Sequence, residues 1–304
     1  MSELGFKKIK LSDYVGYTPL IPITIGEITV WAKCEFMNPS GSVKDRMATF
    51  IINNAEKDGL ISKGDTICEA TSGNSGISFA MLAAERGYNM VIIMPSNMSE
   101  ERKQMFQHYG AKLIEVGEGD FDGAIALRDE MCENKGWFNP NQFHNPLNIQ
   151  AHYIGTGPEI YNDYQQCRGE GCSPDVFVAG TGTGGTIMGV DKFLKELWFN
   201  IKTVAVEPEE SPVMSGGEPG LHGIQGIGDG SKFLVDLDKV DEVRTVSTHC
   251  AKKCARHLAK KYGLLVGISA AANIFTTFQW LRDNNKTEGI TILCDRGERY
   301  FSCM

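Results

Sequence analysis

No stretch of this sequence is apolar over enough residues to span a membrane, which takes about 20 in a row. There is no cationic surplus either. Lysines and arginines number 30 against 38 aspartates and glutamates, a net charge of -8, so an overall basic footprint for nucleic acid or an anionic membrane is missing. Internal repeats and low-complexity tracts are absent, which excludes a repeat array. The nine cysteines are odd in number and scattered, unlike the framework of a disulfide-stapled module. The opening Met1-Ser2-Glu3-Leu4-Gly5-Phe6-Lys7-Lys8 has no long apolar run and no arginine, so we expect reduced thiols and a cytoplasmic protein. Cys250 and Cys254 lie four apart on an expected helix, but no second ligand pair accompanies them and no metal site is expected.

What is present is a chain of 304 residues, 42% of them hydrophobic. That is ample for a large core in one big domain or two closely joined ones, and it suits small-molecule chemistry. Turn signals and an apolar run over 17–23 come first, and 27–35 then reads as a strand stopped at Asn38-Pro39. Strands follow over 65–70, 89–95 and 111–116. Helices follow Lys44, run from the turn at 71–76 to Arg86, and cover 100–108 and 121–132. Residues 138–147, rich in Asn and Pro, predict a loop, with a partly helical stretch after it through Tyr164. The pattern restarts with strands over 174–179, 203–207, 243–246 and 290–294, and with helices ending at Leu197 and covering 250–262 and 270–281. Residues 211–232 are glycine-rich and aperiodic, a long loop of the kind kept for function. The alternation predicts an α/β fold with mainly parallel, twisted sheets in two units, and an active site between them at strand C-terminal ends.

Three segments carry candidate chemistry. In Asn38-Pro39-Ser40-Gly41-Ser42-Val43-Lys44-Asp45-Arg46 a turn runs straight into a helix-compatible run, so Lys44 sits at a helix entrance. The positive end of the helix dipole favours the neutral amine that a base or nucleophile needs. On this loop alone, a solvated lysine beside Asp45 and Arg46 is the plainer reading. Gly182-Thr183-Gly184-Gly185-Thr186 follows a strand and opens a helix, which suits a phosphate. Gly180, Gly182 and Gly185 also satisfy the dinucleotide pattern G-x-G-x-x-G, with Glu207 ending the next strand, and a simple tight turn is the third reading. Thr71-Ser72-Gly73-Asn74-Ser75-Gly76 is a small, donor-rich turn suited to a carboxylate, or else a βα loop capped by Asn74 or Ser75.

Together these segments resemble the cysteine synthase and cystathionine β-synthase family of pyridoxal-phosphate enzymes, over nearly the whole chain and in the family's order. The resemblance implies a fold type II enzyme with a smaller substrate-loop domain over 38–148. A larger, discontinuous cofactor-binding domain would cover 1–37 and 149–304. It implies that Lys44 carries pyridoxal phosphate as a Schiff base, with Gly182, Thr183, Gly184, Gly185 and Thr186 on its phosphate, Asn74 on its ring hydroxyl and Ser269 on its pyridine nitrogen. Thr71, Ser72, Gly73, Asn74 and Ser75 with Gln142 would take the substrate carboxylate, and Gly226 would line the substrate side. No metal is implied.

Cys294-Asp295-Arg296-Gly297 looks like the B-type cysteine synthase version of its segment, and Ala270-Ala271-Ala272 departs from the usual small-residue pattern after Ser269. The implied reaction is a β-replacement making L-cysteine from O-acetyl-L-serine and sulfide or thiosulfate, through an α-aminoacrylate. Alternatives are an O-phosphoserine donor, cystathionine β-synthase-like condensation, or a catalytically silent binding protein. The end at Met304 is read as leaving no room for a cystathionine β-synthase regulatory module. The family also implies a homodimer, with serine acetyltransferase as a partner to test.

Overall fold

The computed structural model describes residues 10–304, and the opening octapeptide weighed above lies outside the described residues. Its strands are β1 (Leu20–Ile25), β2 (Ile28–Lys33), β3 (Thr66–Ala70), β4 (Asn89–Pro95), β5 (Lys112–Val116), β6 (Val176–Gly180), β7 (Lys202–Pro208), β8 (Glu242–Val246) and β9 (Glu288–Ile292). Its helices are α1 (Lys44–Lys57), α2 (Asn74–Arg86), α3 (Glu100–His108), α4 (Phe121–Lys135), α5 (Pro146–Ala151), α6 (Gly157–Arg168), α7 (Gly185–Leu197), α8 (Thr248–Tyr262) and α9 (Ile268–Asp283).

Two sheets form, in the strand orders β3-β4-β5 and β1-β2-β9-β6-β7-β8. Every pairing is parallel except β1 with β2. The apolar runs of β4, β6 and β7 are buried almost end to end, as central parallel strands covered on both faces must be. Met47, Ile51 and Ile52 of α1 and Phe79 of α2 pack with Ile92 and Phe106 in one core. Val190 and Leu194 of α7 lie in a second core, and Trp280 and Leu281 of α9 in a third, both sharing strand residues of the larger sheet. No helix of the described residues is long and apolar enough to cross a membrane.

The structure differs from the sequence reading in three places. The apolar run over 17–23 contributes to a strand, β1, joined to β2 by the two-residue turn Gly26-Glu27, a connection that hairpins favour. Helix α2 begins at Asn74, inside the expected turn. Helix α5 starts within the expected loop, because Pro146 opens it and Asn145 accepts the Leu147 N–H at 3.0 Å. A single π-helical turn, His152–Thr156, then leads into α6.

The charged run around Lys44 is not solvated. Asp45 is 0% exposed and Arg46 6%. The Arg46 guanidinium pairs with Glu35 (2.6 and 2.7 Å) and with Glu159 (2.7 Å to each oxygen). Burial would raise the Glu159 carboxyl, but Arg46 and Lys33 hold it down at about 2. Asp45 accepts from the Ser40 N–H at 2.6 Å and the Ser78 hydroxyl at 2.5 Å. Residues 45 and 46 therefore anchor the start of α1, while Lys44 lines a cavity.

Candidate active site

The cavity lies between the two sheets at strand C-terminal ends. Lys44, Ser72, Asn74, Ser75, Gln142, Gly182, Thr183, Gly184, Thr186, Gly226 and Ser269 all line it. Thr71, Gly73 and Gly185, which the sequence also singled out, do not. The Thr71 hydroxyl instead accepts the Gly73 N–H at 3.0 Å, which shapes the turn.

Lys44 opens α1 at the cavity wall. Among the described residues its amine has no hydrogen-bond or ion-pair partner, while its backbone N–H meets the Ser42 hydroxyl at 3.4 Å. Its depth in the protein lowers the amine's pKa, and the nearby Cys294, Asp229 and Asp295 oppose this only in part. Burial and the neighbouring Asp295 push the Cys294 thiol up to about 12, so it stays protonated.

The glycine loop stands at the N-terminus of α7. Gly184 precedes the helix with φ +88°, a left-handed conformation that glycine adopts without strain. No side chain caps this end, so the first helical N–H groups are free for an anion. Asn148, buried under the loop, donates to the Thr183 hydroxyl oxygen at 2.9 Å and to the Gln142 carbonyl at 3.0 Å. One amide therefore ties the phosphate-type loop to the carboxylate-type site. The buried His152 ring meets Thr186 at 3.2 Å and Thr156 at 2.9 Å. Burial and the charges of Arg46 and Lys44 drive its pKa well down, so the ring is neutral.

At the donor-rich turn the Ser75 hydroxyl donates to Gln142 Oε1 at 2.5 Å, and Gln142 Nε2 donates to the Ala70 carbonyl at 2.8 Å. Asn74 is not a cap. Its amide nitrogen donates to Asp295 at 2.6 Å, and its oxygen accepts from Arg299 at 2.7 Å. The two partners fix the orientation of the amide and leave one N–H to donate elsewhere.

The family model for pyridoxal-phosphate dependent enzymes matches residues 11–295. The chain belongs to the pyridoxal-phosphate dependent enzyme family. Within that family it is 42% identical over 301 residues to a cysteine synthase of Staphylococcus aureus, covering 96% of this chain and 95% of the relative. It superposes on an O-acetylserine sulfhydrylase-type cysteine synthase of Entamoeba histolytica with TM-score 0.88 and 37% identity, covering 100% of this chain and 92% of the other. It also superposes on a hydrogen sulfide-producing enzyme of Fusobacterium nucleatum with TM-score 0.90 and 39% identity, covering 96% and 90%.

The residues present fit the family's cofactor. An unpartnered lysine amine, an uncapped helix N-terminus and a neutral serine donor share one cavity, and each matches a different part of pyridoxal phosphate. The dinucleotide reading leaves the buried amine unexplained.

Sequence reasoning missed Asp229. Its carboxyl lines the cavity and has no hydrogen-bond partner among the described residues. Burial raises its pKa, against the charges of His222, Lys44 and Arg102. The signal was a lone acid among the glycines of Gly226-Ile227-Gly228-Asp229-Gly230, inside a loop too aperiodic to show which way it faces.

Proposed function

We propose that this chain makes L-cysteine from O-acetyl-L-serine and sulfide by β-replacement. The observation that carries the reading is that a free lysine amine and an uncapped glycine loop open into one cavity, with the Ser75–Gln142 pair also on its wall. Bound pyridoxal phosphate supplies the electron sink that stabilises negative charge at the substrate's α-carbon.

The chain's own residues do the rest. Gly182, Thr183, Gly184, Gly185 and Thr186 hold the phosphate, directly or by shaping the loop. Asn74 donates to the ring hydroxyl, and Ser269 meets the ring nitrogen. Ser72, Asn74, Ser75 and Gln142 seat the substrate carboxylate on a turn that Thr71 and Gly73 shape, and Gly226 lines the same cleft. Lys44 holds the cofactor, takes the α-proton once freed by the incoming amino acid, and returns it after sulfur has added. Asp229 takes the proton of the incoming sulfur.

Residues 38–148 form the substrate-loop domain, and 1–37 with 149–304 the cofactor-binding domain. The nine free cysteines suit a reducing cytoplasm. The exposed Tyr14 and Tyr17 suit a homodimer contact, with serine acetyltransferase a further partner to test by co-purification.

A second cavity of about 340 Å³ adjoins the first through Ser72, Gly226 and Asp229. It admits a larger thiol, which favours a second reading in which an amine-bearing thiol, as in cystathionine formation, is also an acceptor. Among the described residues Asp120, Asp122 and Asp229 line this entrance and no lysine or arginine does, a field that repels a dianion. The test is an acceptor panel with O-acetylserine as donor. Sulfide is expected to be used at least about ten-fold better than thiosulfate in kcat/KM at low salt, the gap narrowing as salt screens the field. Equal use of thiosulfate contradicts the electrostatic argument, and no use of sulfide contradicts the proposed reaction.

A further inference from the structure

Arg102 of α3 is 0% exposed, yet its charge is not matched by a close carboxylate. The nearest, Asp295, is 3.8 Å away. Its donors go mostly to neutral acceptors on three separate segments. One guanidinium nitrogen donates to the Ser72 carbonyl at 3.1 Å and to the Gln225 side-chain oxygen. The second donates to the Tyr300 hydroxyl at 2.6 Å, and the third, Nε, has no partner among the described residues. The guanidinium carbon lies 4.7 Å from the Tyr300 ring centre. Tyr300 in turn donates to Asp295, the residue that accepts from Asn74. At Gly73, φ is +146°, and a Cβ there would overlap the Arg102 side chain, so the loop and the arginine fit without spare room.

We infer that Arg102 is a positioning residue that couples the substrate-carboxylate loop to the entrance used by the second substrate. This deepens the proposed reaction and rests on it for the identity of the two substrates. Ser72 belongs to the carboxylate loop, and Gln225 lines the entrance cavity. One buried fork therefore holds the loop main chain with one arm and an entrance side chain with another, and reaches Asn74 through Tyr300 and Asp295. A molecule entering beside Gln225 meets a group already tied to the loop that seats the amino acid. A lysine could not replace this fork, because an ammonium is a point donor without planar, paired geometry.

The test uses the holoenzyme in two variants, Arg102→Lys and Gln225→Leu, the second being partly exposed and safe for folding. Three quantities are read: cofactor absorbance, the O-acetylserine concentration that half-saturates the sulfide-free half-reaction, and amide hydrogen exchange over 71–76. In both variants the half-saturating concentration is expected to rise about ten-fold, the size of losing one charge-assisted hydrogen bond. Exchange over 71–76 is expected to quicken, with cofactor absorbance and the maximal rate nearly unchanged. Exchange and half-saturation within two-fold of the parent in both variants overturn the inference. So does an Arg102→Lys protein that loses cofactor and fold while Gln225→Leu matches the parent, since Arg102 would then only stabilise. The exchange measurement needs no substrate, so it stands even if O-acetylserine proves to be the wrong donor.

Discussion

Replacing Lys44 by alanine is expected to leave a folded protein whose turnover falls on the order of 10⁴-fold, the upper range for loss of a positioned acid–base group. The fold survives because the amine contributes nothing to it. Among the described residues it has no partner, and the anchoring of α1 falls to Asp45 and Arg46 through Ser40, Ser78, Glu35 and Glu159. Removing a charge from a site where burial already disfavours it leaves no orphaned counter-ion behind. The chemistry fails because, among the described residues, no other side chain lining the cavity is an amine. Steady-state assay with a thermal melt separates the two effects. A variant with more than about a tenth of parental turnover rules Lys44 out as the cofactor-bearing base.

Asp229→Asn has the second largest expected effect, about 10²-fold on the overall rate, typical of losing one general base. Loss of acetate from O-acetylserine in the absence of sulfide is expected to stay within a few-fold of the parent. The split follows from position, since Asp229 lines both the cofactor cavity and the entrance. Its pKa is raised, chiefly by burial, so the carboxylate that accepts a proton appears only at a pH above the ordinary aspartate range. The sulfur-addition rate of the parent should therefore rise as pH climbs through that raised pKa. The rise should vanish in Asp229→Asn, whose amide does not titrate. Rapid mixing of the preloaded enzyme with sulfide across pH is the measurement. An unchanged pH limb in the variant assigns that proton transfer to another group.

Much of this architecture was legible in the sequence because its signals are local. β4 and β6 are nearly continuous apolar runs, β7 has the apolar centre Val204-Ala205-Val206, and Gly87 closes α2 where the periodicity stops. The glycine loop reads as an anion site because its glycines, its hydroxyls and the following helix are adjacent in the chain. Contacts across long separations were not legible. Asn74 looks like a helix cap from its neighbours alone, and only the return of Asp295 and Arg299, 221 and 225 residues later, draws its amide away. Arg102 reads as one more charged residue on an amphipathic helix, since its partners Ser72, Gln225 and Tyr300 come from three distant segments. The antiparallel β1 is obscured for a local reason: Pro22 weakens the run as a strand, and the hairpin pairing with β2 restores it.

The most direct test of the central claim is an absorbance spectrum of the purified protein, recorded with pyridoxal phosphate before and after O-acetylserine, with Lys44→Ala beside it. The account requires a band near the visible edge that is specific to the parent and gives way to a new band when O-acetylserine is added. A parent protein that stays colourless with the cofactor present, or a band that Lys44→Ala retains unchanged, would contradict it.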